Sequence, residues 1–288
     1  MLDALLTPFT EFEFMRRALV GTIAIAVGGA PVGVFLMLRR MSLTGDAMAH
    51  AILPGAAVGY LVAGLSLPAM TAGGLVAGVI VAVLAGLVAR FTDLKEDASL
   101  AAFYLLSLAL GVTIVSLRGS NVDLLHVLFG TVLALDDAAL VLIAAIATVT
   151  LLALALLYRP LVLECVDPTF LRSVSRAGTP THLAFLGLVV LNLVGGFHAL
   201  GTLLAVGLMM LPAAAARFWC ADITLMTGAA TLIGILSGYA GLLLSYHWEL
   251  PAGPAVILTA GGIYVLSLTL GPQGGLVWLA RPGRHLEA

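Results

Sequence analysis

Charge is scarce in this chain. Asp, Glu, Lys and Arg make up 10% of its 288 residues, and Lys95 is the one lysine. A soluble domain carries about 25% charged residues, so a water-facing globule is excluded. Without a Gly-x-x-x-x-Gly-Lys-Ser/Thr loop, the chain cannot bind and hydrolyse ATP by that route. No His-Glu-x-x-His or Gly-x-Ser-x-Gly motif occurs, and no carboxylate pair forms an acid–base constellation. Nothing here points to an enzyme. Cysteine is limited to Cys165 and Cys220, too few for a disulfide frame. A net charge of -2 with no basic patch gives no sign of a nucleic-acid partner.

What remains is apolar. Hydrophobic residues make up 61% of the chain, and the mean hydropathy is +1.15. About 20 apolar residues cross a bilayer. The runs that qualify are 18–38, 44–64, 68–91, 99–117, 138–158, 183–197, 202–219, 225–246 and 254–270. The sixth and seventh are short and flank Gly195-Gly196 and Gly201, so one of them reads as a half-helix that re-enters. The expected fold is all-α: a polytopic helical membrane protein with eight or nine transmembrane or re-entrant helices. It would be one transmembrane domain over 1–288, with an amphipathic lead-in over 1–14. Gly55/Gly59, Gly74/Gly78 and Gly234/Gly238 are small-xxx-small pairs that permit close helix contact. Asn192, inside a run, calls for an interhelical hydrogen bond.

Lys and Arg favour cytoplasmic connections. Placing Arg39 and Arg40 inside puts ten of the thirteen basic residues inside and leaves Arg16, Arg17 and Arg118 outside. The N-terminus is then external and the C-terminus cytoplasmic, provided that 202–219 crosses. Two connections stand out. The outer one, 119–137, is too short to span and too apolar for a free loop, so it reads as a re-entrant or interfacial helix. The inner one, 159–182, holds Asp167-Pro168 to Gly178, read as a short helix with Asp167 as N-cap, Pro168 in the first turn and Gly178 at the end. Phe170, Leu171 and Val174 give it an apolar face suited to a partner groove.

Two ionisable residues lie inside an apolar run. Asp46 and His50 are four residues apart and share a face on a helix. Such groups in a membrane usually mark a substrate or ion path. One reading is a buried pair, with Asp accepting a hydrogen bond from the imidazole to lock two helices. The other is a weak, transient site for a divalent metal, half-built in one chain and completed by a second copy or by water. Pro54-Gly55 follows one turn later and disrupts helical hydrogen bonding around residue 50. Asp123, His126, His198 and His247 are secondary candidates for metal or gate contacts near the outer mouth. Each also has an ordinary reading as an interfacial or orienting residue.

Residues 38–55 carry a basic pair, Met41-Ser42-Leu43, Gly45-Asp46-Ala47, a His four residues after the Asp, and Leu53-Pro54-Gly55. This run resembles the signature of permease subunits of ATP-binding-cassette importers for zinc, manganese or iron. Leu128-Phe129-Gly130, Asp167–Gly178, Leu203–Arg217 and Pro251-Ala252-Gly253-Pro254 resemble further blocks of that family. The resemblance implies a homodimeric permease in the bacterial inner membrane, two cytoplasmic ATPase subunits and a periplasmic metal-binding protein. It also implies that Asp46 and His50 face the path and that Asp167–Gly178 is the ATPase-docking helix. No cofactor is expected to be held permanently. The transported substrate is expected to be Zn2+, with Mn2+ next. The alternatives are an ion-coupled secondary metal carrier that needs no ATPase, and a membrane scaffold that transports nothing.

Overall fold

The computed structural model describes residues 2–64, 66–92, 96–117, 132–167 and 178–279. Among these the chain is helical throughout, apart from turns. In order the helices are α1 (Leu2–Glu11), α2 (Glu13–Leu38), α3 (Ser42–Ala51), α4 (Leu53–Ala63), α5 (Leu67–Phe91), α6 (Glu96–Leu117), α7 (Asp137–Val166), α8 (Gly178–Leu200), α9 (Thr202–Ala216), α10 (Ile223–Trp248), α11 (Ala252–Leu270) and α12 (Leu276–Leu279). A 3-10 turn, Val132–Ala134, precedes α7. Seven segments are long and apolar enough to cross a membrane, counting α3 and α4 together, and α6 and α9 carry shorter apolar stretches. Every run expected from the sequence is helical, the run over 44–64 being divided between α3 and α4. In a bilayer this is obligatory, since only helices and closed barrels satisfy all their backbone hydrogen bonds without water.

Helix α2 is the centre. Its buried residues run from Met15 to Leu36, and it packs on α7, α9 and α10. The outer helices turn large apolar side chains away from the protein, among them Val141, Leu152 and Leu156 of α7 and Leu258 and Leu266 of α11. Such a surface suits lipid. Two aspartates cap helix starts. Asp136 accepts from the Ala139 amide at 2.8 Å, and Asp222 accepts from the Leu225 amide at 3.0 Å. Each satisfies a donor that the first helical turn leaves free.

The short sixth and seventh runs form two successive helices, α8 long and apolar enough to cross a membrane and α9 a shorter apolar helix. Helix α8 begins at Gly178 and continues through Gly195 and Gly196. Those glycines are packing positions, set against Ile146 and Ala205. The turn itself is Gly201 alone, at φ 87°, a conformation open to glycine. Helix α9 has 15 residues, about 22 Å at 1.5 Å per residue. Its start shares a buried cluster with Met15 and Ala18, and its end shares one with Val34 and Leu38. It therefore runs beside α2 towards the basic end of the bundle. Helix α11 ends there too. The Gln273 amide donates to the Phe218 carbonyl at 2.9 Å, and Trp219 Nε1 donates to Ser267 Oγ at 2.9 Å. The connection expected over 159–182 shortens, because α7 continues through Pro160 to Val166 and α8 starts at Gly178. Pro180 fits there, since the first helical turn needs no amide donor.

Candidate functional site

The site begins at the end of α2. The Arg40 amide donates to the Met37 carbonyl and the Met41 amide to the Leu36 carbonyl, the double closure of a Schellman turn. Arg40 sits in the left-handed region at φ 59°, where glycine is usual. The buried contact of Leu36 with Met41, both in one apolar cluster, offsets that strain. The chain reverses at once into α3, which carries Asp46 and His50.

His50 Nε2 lies 4.0 Å from Asp46 Oδ1. This is beyond hydrogen-bond reach, so the locked pair of the first reading is not formed within one chain. The Asp46 side chain is 66% exposed and that of His50 26%. The His50 ring lies beside Tyr104 of α6, with centroids 6.2 Å apart. Leu43 precedes the pair on the same face and is exposed, as are Val58 and Val62 of α4. An open carboxylate on a membrane helix must face water or protein rather than lipid. Among the described residues no third His, Cys, Asp or Glu joins them. Among the described residues the pair stands alone, with Asp46 largely exposed and His50 partly covered.

The helix breaks one turn later. Ile52 separates α3 from α4, and Pro54 stands in the first turn of α4. Proline has no amide to give the His50 carbonyl. Ser107 of α6 compensates for the break, its buried hydroxyl donating to the Ala51 carbonyl at 2.8 Å. On the other side α4 presses on α5. A methyl group on Gly55 would overlap the Gly73 carbonyl, and one on Gly73 would overlap that of Gly55. The Gly55/Gly59 pair thus sets the height and tilt of the segment that follows the site.

At the basic end lies a buried ionic cluster that sequence reasoning missed. Arg39, the C-cap of α2, places Nη2 3.0 Å from Glu164 Oε1 in α7, with side chains 8% and 6% exposed. The same Nη2 meets His182 Nδ1 of α8, and the guanidinium lies 5.0 Å above the Phe185 ring. The sequence used Arg39 for orientation and as part of the basic pair of the 38–55 run, and gave His182 no role. The available signal was Glu164, an acid flanked by Leu161, Val162, Leu163 and Val166 in the stretch read as the inner connection.

The remaining candidates fall as follows. Asp123, His126, Phe170, Leu171 and Val174 lie outside the described residues, as does the His198 side chain. His247 is exposed near the far end of α10, with Nδ1 2.9 Å from the Leu243 carbonyl. Asp167 closes α7 in an extended conformation, and Gly178 opens α8. Asn192 makes the expected interhelical bond, donating to Thr150 Oγ1 at 2.8 Å. A surface cleft lined by Glu13, Arg17 and Asp136 lies at the α1 end and does not include Asp46 or His50. Both cysteines are free.

Residues 11–271 match the ABC 3 transport family. The manganese import system permease protein ScaB of Streptococcus parasanguinis is 30% identical over 273 residues, covering 95% of this chain and 96% of that protein. The manganese transport system membrane protein MntC of Halalkalibacterium halodurans is 28% identical over 282 residues, covering 96% of this chain and 95% of that one. Among solved structures, PsaBC from Streptococcus pneumoniae in complex with Fab gives a TM-score of 0.85 at 26% identity, covering 97% of this chain and 99% of that one.

Proposed function

The chain belongs to the ABC 3 transport family as the permease of a metal-type importer, and on that premise we propose that it carries Mn2+ inward with Asp46 and His50 as ligands on the path. The observation behind this is the pair itself: two side chains 4.0 Å apart and unlocked, the carboxylate largely exposed and the imidazole partly so. A second copy on that face would bring two carboxylates and two imidazoles together, with water completing the shell. Such a mixed oxygen and nitrogen set suits Mn2+, which binds more weakly than Zn2+ to a given site and is selected by ligand type and geometry. Weak binding lets the ion leave. The preference for zinc expected from the sequence finds no support in the relatives, whose names specify manganese.

Energy comes from a separate cytoplasmic ATPase in this reading, and a periplasmic binding protein delivers the metal. The chain resides in the bacterial inner membrane, and the connection between α7 and α8 docks the ATPase. The test is proteoliposome uptake with both partners present, comparing Mn2+ with Zn2+. ATP-dependent uptake that favours Mn2+ and is lost in Asp46→Asn and His50→Ala is the expected result. Uptake by the purified chain alone, driven by a proton gradient, would replace it with the secondary-carrier reading.

A further inference from the structure

The Arg39–Glu164–His182 cluster ties three places together. Glu164 stands in the last turn of α7 and His182 near the start of α8, so both helices bordering the 168–177 connection are held. Arg39 caps α2, three residues before α3 begins at Ser42. Any shift at the ends of α7 and α8 therefore reaches the first turn of the helix that bears Asp46 and His50. The chemistry allows two arrangements. Arginine and a carboxylate can join through two parallel bonds, but only Nη2 to Oε1 is made here. Arg39 Nη1 and Glu164 Oε2 are buried with no hydrogen-bond partner among the described residues. Unpaired buried charge is costly, so a bidentate arrangement that engages Arg39 Nη1 and Glu164 Oε2 is a second state open to the pair.

We propose that Arg39, Glu164 and His182 are positioning residues that convert movement of the α7 and α8 ends into movement of α3, coupling the ATPase stroke to the metal path. This rests on the importer reading above. The cluster touches neither metal nor nucleotide in that reading, so its loss should separate hydrolysis from transport.

The experiment measures Mn2+ taken up per ATP hydrolysed by the permease reconstituted with its ATPase and binding protein. Glu164→Gln keeps the shape and removes the charge. We expect uptake per ATP to fall about tenfold, within the usual range of coupling between sites, with hydrolysis held within twofold. Glu164→Asp, which keeps the charge, should recover at least half. The double variant Arg39→Met with Glu164→Met buries no lone charge and should fold, because apolar replacement of a buried pair is often neutral. It should be uncoupled as well. An unchanged ratio in Glu164→Gln, uptake and hydrolysis falling in the same proportion, no recovery in Glu164→Asp, or a wild-type ratio in the double variant would each overturn the coupling role. A wild-type complex without ATP-dependent uptake would instead overturn the importer reading, and this inference with it.

Discussion

Asp46 and His50 differ in what holds them. His50 leans on Tyr104, while the Asp46 carboxylate has no hydrogen bond among the described residues and is largely exposed. Removing either should leave the fold intact and affect the metal alone. We predict that Asp46→Asn and His50→Ala each lower ATP-driven Mn2+ uptake at least about tenfold, equivalent to about 1.4 kcal/mol, with unchanged assembly by size-exclusion chromatography. His247→Ala should stay within about twofold in the same assay, because that ring is engaged with its own helix backbone. The pair was legible in the sequence because ionisable residues interrupt an otherwise apolar run. The Arg39–Glu164 contact was not, since its partners stand 125 residues apart and neither pattern nor spacing connects them.

Among the elements, the broken helix α3–α4 carries the most risk. Its break leaves the Ala51 carbonyl to Ser107. We predict that Ser107→Ala lowers stability by about 1 kcal/mol, the usual cost of a lost buried hydrogen bond between membrane helices, read as a lower unfolding midpoint in detergent. Gly55→Val should cost more, about 1–3 kcal/mol, because the added atoms meet the Gly73 backbone rather than a flexible side chain. An unchanged midpoint in Gly55→Val would show that α4 and α5 can separate freely. Pro54 and Gly55 announced the break in sequence. Ser107 did not stand out, because one hydroxyl in an apolar helix looks the same whether it bonds its own turn or a neighbour. The Schellman turn was also hidden, since Arg40 occupies the place where glycine is expected.

At the scale of the whole molecule, Leu43 and Asp46 lie exposed together on α3 with His50 partly exposed beside them. Lipid is a poor solvent for a carboxylate, and a second copy would bury it. We predict that Leu43→Cys, in a background with Cys165→Ala and Cys220→Ala, cross-links between copies in membranes under mild oxidation. Cysteine at Leu258, on the outer surface of α11, should not. Cross-linking at Leu258 with none at Leu43 would move the interface to another face.

The sequence by itself determined the membrane class, the all-helical fold, the approximate place of each apolar helix, and the Asp46–His50 spacing. Burial in lipid is decided segment by segment, since each helix must satisfy its own backbone and match the bilayer thickness. Only the tertiary structure decided that α9 runs beside α2 to its basic end, that the Asp46–His50 pair is open rather than locked, and that Arg39 meets Glu164 and His182. Those facts depend on how helices far apart in the chain set their heights against one another. That is fixed by close packing such as Gly55 on Gly73, which no local pattern encodes.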